Sequence, residues 1–218
     1  CRFLDWKKEP LNNMIVLIDY GVGNISAFLN IYKQLNIPAR TAKTESELDG
    51  AQKIILPGVG HFDYAMQRFN DSGMRERVNK LVTQDKIPVV GICVGMQMMA
   101  GKSDEGQLEG LGWIDADVVK FDDAQRSAKM PLPHMGWNDV YPTKPNPLFT
   151  GLEEDARFYF LHSYYFKCHR PEDSIAEADY GIRFSCSVNK ENVYGVQCHP
   201  EKSHHFGIQL LKNFAELC

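Results

Sequence analysis

Residues 89–99 read VVGICVGMQMM: a compact apolar run enters a cysteine that has a glycine two positions before it and another two positions after. Val89, Val90 and Ile92 favour a buried strand, and the stretch beyond Val94 opens a helix. A strand–turn–helix carrying a nucleophile between two such glycines is an elbow, with Cys93 at its tip. Gly91 and Gly95 are demanded there because side chains would strike the crossing backbone. A helix starting near Val94 would point its free N–H groups and the positive end of its dipole at the sulfur, favouring the thiolate. The competing reading is a buried structural cysteine, a common fate of free thiols. GxCxG by itself does not separate the two.

Outward from the elbow, the first half of the chain alternates strand and helix. MIVLIDY (residues 14–20) is a β-rich run ended by GVGN. NISAFLNIYKQLN (residues 24–36) sets Phe28, Leu29, Tyr32 and Leu35 on one helical stripe before Pro38. A short strand over residues 39–42, a strand KIILPGVG and a helical stretch over residues 63–84 lead into the elbow strand. This alternation predicts an α/β fold with a mixed, mostly parallel central sheet flanked by helices. After Gly110, short strand candidates crowd together, among them GWNDVYP, RFYFLHSYYF, IRFSCSVNK and NVYGVQC. They predict an antiparallel extension of the same sheet, because no linker divides the halves. A helix over residues 203–217 closes the chain. Residues 14–218 thus read as one domain, and CRFLDWKKEPLNN, residues 1–13, as an irregular N-terminal extension without the apolar run of a secretory signal.

VYGVQCHPEKS, residues 193–203, supplies what the elbow lacks. His199 and Glu201 stand at i and i+2, and in an extended segment both side chains leave the same face. His199 can then take the proton from Cys93 while Glu201 orients the imidazole. Cys198 points the other way and reads as packing.

GICVGMQ followed by GVQCHPE resembles the class I glutamine amidotransferases, whose cysteine, histidine and glutamate occur in that chain order. PGVG (residues 57–60), PLPHMGWN (131–138), YFLHSY (159–164) and HPEKS (199–203) resemble the branch of that family whose glutaminase subunit passes ammonia to a separate (β/α)-barrel cyclase subunit in histidine biosynthesis. The resemblance runs from Met14 to about Leu217 and implies the family's flavodoxin-like architecture. It implies Cys93, His199 and Glu201 as catalytic residues, with glutamine as substrate. Oxyanion donors would come from the backbone of Val94 and of Gly58, Val59 and Gly60. Gln97 and Glu105 would hold the amino-acid end of glutamine, along with the backbone of His162, Ser163 and Tyr164. For Glu105 a solvated loop, and for His162 a satisfied core histidine, stand as alternatives. The resemblance places Asn24, Trp137, Tyr159 and Lys202 at the partner interface, Trp137 as an apolar anchor. It implies no cofactor and no metal.

Composition bounds these readings. The 218 residues are 44% hydrophobic and 24% charged with a net charge of −4, which argues against nucleic acid or an anionic membrane as partner. Six cysteines without a CxxC pair read as reduced thiols of a cytoplasmic protein. GVGNIS mimics a dinucleotide fingerprint, but Ser26 replaces its third glycine. Two rivals share or alter the chemistry. A paralogous glutaminase would feed a sugar amidation enzyme of surface-polysaccharide biosynthesis, a reading prompted by Cys198 where an aromatic is more usual. A non-catalytic module would require a broken triad, whereas all three residues are present.

Overall fold

The computed structural model describes residues 14–122 and 130–218; the extension at residues 1–13 lies outside them. The first half alternates as its patterning predicts. β1 (Ile15–Ile18), α1 (Ile25–Gln34), β2 (Ala39–Ala42), β3 (Lys53–Gly58), α2 (Phe62–Asp71), α3 (Arg75–Thr83), β4 (Val89–Cys93) and the short α4 (Val94–Gln97) follow one another. The second half carries β5 (Lys102–Ser103), β6 (Ala116–Lys120), β7 (His134–Asp139), β8 (Tyr141–Pro142), β9 (Arg157–His162), β10 (Tyr164–Cys168), β11 (Ser174–Asp179), β12 (Arg183–Lys190), β13 (Val193–Val196) and α5 (His204–Leu217). The helical stretch expected over residues 63–84 is broken in two at Gly73, whose φ of 72° stops the first helix.

The main sheet runs β2-β1-β3-β4-β13-β12-β10-β6-β5, with β11 and β8 added beyond β12. Strands β2, β1, β3, β4 and β13 are parallel. β1, β3, β4 and β13 are buried along their whole length, as strands covered on both faces must be. From β13 the sheet turns antiparallel through β12, β10 and β6. This is the α/β fold with a mixed, mostly parallel sheet and an antiparallel extension.

One part of that extension departs from expectation. β7 and β9 do not join the main sheet but pair with each other as a two-stranded ribbon. The free edge of β9 is used elsewhere: Tyr159 O accepts from His199 N at 2.8 Å, and Tyr159 N donates to Ser203 Oγ at 3.0 Å. The ribbon buries His134, Phe158, Phe160 and His162 and turns Met135, Trp137 and Leu161 outward. Helix α5 seals the sheet with Leu210, Leu211 and Phe214. Its last carbonyls, Phe214 O and Ala215 O, accept from Lys53 Nζ at 3.0 and 2.8 Å, satisfying groups a helix C-terminus leaves open.

Candidate active site

Cys93 ends β4 and caps α4 with φ 55° and ψ −114°, a left-handed backbone that non-glycine residues rarely adopt. The two glycines make that turn possible. A Cβ on Gly91 would lie 2.6 Å from Gly95 O, and one on Gly95 would lie 1.9 Å from Leu56 O. The elbow is thus packed backbone against backbone and lifts the sulfur out at the carboxyl ends of β3, β4 and β13.

β13 is the parallel neighbour of β4, with Val196 beside Ile92, and the chain beyond it delivers His199. The imidazole interacts with Cys93 and hydrogen-bonds through Nδ1 to Glu201 Oε1 at 2.9 Å. Nε2 is therefore the nitrogen that faces the sulfur. Pro200 opens a 3-10 turn, closed by Lys202 N to His199 O at 3.0 Å. Glu201 reaches the ring through this turn, not through the extended alternation the sequence suggested. Burial by itself would push the His199 imidazole down. The hydrogen bonds to Cys93 and Glu201, with the negative charge of both, outweigh it and hold His199 up at about 10. Cys198 is buried beside Cys186, and burial raises its thiol well above the usual range.

A sequence profile described as "Glutamine amidotransferase class-I" matches residues 16–217. The chain belongs to the class I glutamine amidotransferases. Among relatives of this amidotransferase, a Bdellovibrio bacteriovorus protein named imidazole glycerol phosphate synthase subunit HisH is 60% identical over 204 residues, covering 94% of this chain and all of that one. A Leptospira interrogans protein of the same name is 51% identical over 204 residues, with the same coverage. In fold, the chain is similar to a solved glutamine amidotransferase at a TM-score of 0.71 and 18% identity, covering 93% of this chain and 97% of that one. It is also similar to a solved glutamine amidotransferase of Thermotoga maritima, at a TM-score of 0.61 and 15% identity, with 93% and 82% covered.

The amidotransferase's sulfur opens into a cavity of about 380 Å³. Of the residues expected around the substrate, Val59, Gly60, Val94, Gln97, Glu105, His162, Ser163 and Tyr164 line it, as do Cys93 and His199. Gly58 does not. Its Cβ position lies 2.4 Å from Gly95 N, so Gly58 is the point where β3 meets the elbow. Gly60 lines the cavity with φ 85°, a backbone that favours glycine. Glu105 is not a solvated loop residue: Oε2 accepts from Phe62 N at 2.8 Å, while Asp63 accepts from the backbone of Gln107 and Leu108 in return. This reciprocal clamp ties the pocket wall to the start of α2.

His162 is fully engaged in the interior. Nδ1 donates to Tyr164 O at 2.8 Å, and Nε2 meets His134 Nδ1 at 2.9 Å. Its ring has no free nitrogen for a substrate, in keeping with a core histidine that contributes through its backbone. Trp137, 41% exposed, stacks on His204 at 5.3 Å and meets Tyr159 edge-on. Lys202 Nζ sits 5.7 Å from the centre of the Tyr159 ring and lines the cavity. Asn24 caps α1 by accepting from Ala27 N at 3.3 Å, and α1 packs against the Pro200–Lys202 turn.

Two contacts to the sulfur were not anticipated from the sequence. Gln197 Nε2 lies 3.8 Å from Cys93 Sγ, and Leu161 O accepts from it at 4.0 Å. Gln197 stands two positions before His199, so the period-two alternation of a strand held the signal.

Proposed function

We propose that this chain is the glutaminase subunit of an imidazole glycerol phosphate synthase: it hydrolyses glutamine to glutamate and ammonia and passes the ammonia to a partner subunit that consumes it in histidine biosynthesis. The observation that carries the reading is one sulfur, one imidazole and one carboxylate joined at the floor of a cavity sized for an amino acid. The names of the relatives support the assembly.

In the first half-reaction Cys93 Sγ attacks the side-chain amide carbon of glutamine. The carbonyl electrons move onto oxygen, where the N–H of Val94 and a peptide N–H of the Val59–Gly60 segment receive the charge. Collapse of this adduct expels the nitrogen, which takes a proton from His199 and leaves as ammonia. Water then attacks the γ-glutamyl thioester, giving its proton to His199 as the sulfur departs. Glu201 stabilises the imidazolium in both steps. Gln97 Nε2 is spent on Tyr164 O and Gln197 Oε1, so its Oε1 remains to accept from the α-ammonium of glutamine, with Glu105 beside it.

The partner is a (β/α)-barrel cyclase that docks over Trp137, Tyr159, Lys202 and Asn24, closing the mouth of the cavity so that ammonia leaves inward. The chain works in the cytoplasm, with residues 14–218 as the amidotransferase domain and residues 1–13 dispensable for the chemistry. Glutamate release measured alone, with the cyclase, and with the cyclase plus its nucleotide substrate tests the proposal. A rise on adding both supports it, and a rate indifferent to both overturns the assignment of partner. Cys93→Ala tests the nucleophile: glutamate production should fall by roughly a thousandfold or more.

A further inference from the structure

A continuous polar chain crosses the protein interior behind the cavity and ends on the reacting sulfur. Tyr164 O can only accept, so its two neighbours, His162 Nδ1 at 2.8 Å and Gln97 Nε2 at 3.2 Å, must both donate. That one carbonyl fixes every other member. With its proton on Nδ1, neutral His162 accepts at Nε2, and His134 Nδ1 must carry the proton between the rings. His134 Nε2 then accepts from Asn138 Nδ2 at 3.2 Å, and Asn138 Nδ2 also donates to Asp179 O at 2.8 Å. In the other direction, Gln97 Nε2 donates to Gln197 Oε1 at 3.0 Å. The Gln197 amide can point only one way: Nε2 faces Cys93 Sγ at 3.8 Å.

Both histidines are neutral in this arrangement, as burial dictates. It pushes His134 down to about 4, and burial together with the neighbouring His134 pushes His162 down to about 3. Gln197 is completely buried, and Gln97 and His134 are each 3% exposed, so water cannot readily substitute for a lost member.

We propose that Gln197 is a further catalytic residue, whose amide N–H stabilises negative charge on the Cys93 sulfur, its direction set by Tyr164 O through Gln97. The proposal rests on Cys93 being the nucleophile of the glutaminase reaction and adds a donor to it. Each return of the sulfur to its anionic form, before attack and on thioester cleavage, places charge where Gln197 Nε2 points. The same carbonyl, by holding Gln97 Nε2, leaves Gln97 Oε1 for the substrate.

Alkylation of Cys93 by iodoacetamide, followed on the full-length chain by mass spectrometry at neutral pH, reads the sulfur without needing turnover. Gln197→Met and Gln197→Leu each remove the donor. In each variant alkylation and kcat should fall about tenfold, together with the thiolate ultraviolet absorbance. Unchanged alkylation in either folded variant overturns the role of Gln197. Should Cys93→Ala retain glutaminase activity, the nucleophile is wrong, a result the alkylation rates do not depend on.

Discussion

At Cys93 the backbone sits at φ 55°, and this strain persists because glycine contacts on either side hold the turn. His199 is held at Nδ1 by Glu201 and interacts with the sulfur, and its folded-state value of about 10 stands above the usual 6.5. A group so raised contributes stability that is fully present below its unfolded value and is lost as pH rises through the folded one. The midpoint of denaturant unfolding should accordingly decline from about pH 6.5 toward pH 10. Glu201→Gln removes the negative charge beside the ring while keeping an acceptor; an NMR titration should then find the His199 ring losing its proton at lower pH. At this scale Cys93 and His199 were legible because glycine spacing and the HPE triplet are local patterns. Gln197 carried a signal in its place two positions before His199, but the direction of its amide is set by hydrogen bonds that cross between elements and was not legible.

Among the elements, the elbow is the least forgiving. A methyl on Gly95 would meet the Leu56 carbonyl, which is backbone and cannot step aside. Gly95→Ala should cost about 2–4 kcal/mol, read as a lowered denaturation midpoint with activity lost in parallel. The β7–β9 ribbon behaves differently. Its inner residues His134, Phe158 and Phe160 belong to the core, but Trp137 on its outer face is exposed and rests on the His204 and Tyr159 rings. Trp137→Ala should leave the melting temperature within a degree or two and weaken binding of the proposed partner subunit by about 2 kcal/mol or more, measured by calorimetric titration. The ribbon's strands were legible as strands, yet not their separation from the main sheet. Alternation specifies which face is buried but says nothing about which backbone edge a strand will choose, and here the edge of β9 is taken by His199 and Ser203.

Over the whole molecule, the parallel half was legible because strands buried on both faces must be written in β-branched and aliphatic residues, as IVLI and VVGIC are. The antiparallel half relies on scattered aromatics whose partners lie far along the chain. Phe166 on β10 and Phe160 on β9 are completely buried; Phe166→Ala should cost about 3–5 kcal/mol, visible as loss of the cooperative transition at the parent's midpoint. The sheet order also sets a timetable. β4 and β13 lie side by side although Gln197 is 104 positions from Cys93, and their pairing closes a long loop. A chain in which β4 has formed but β13 has not yet paired with it has no base beside its thiol, so the nucleophile is armed only by a contact between distant parts of the sequence.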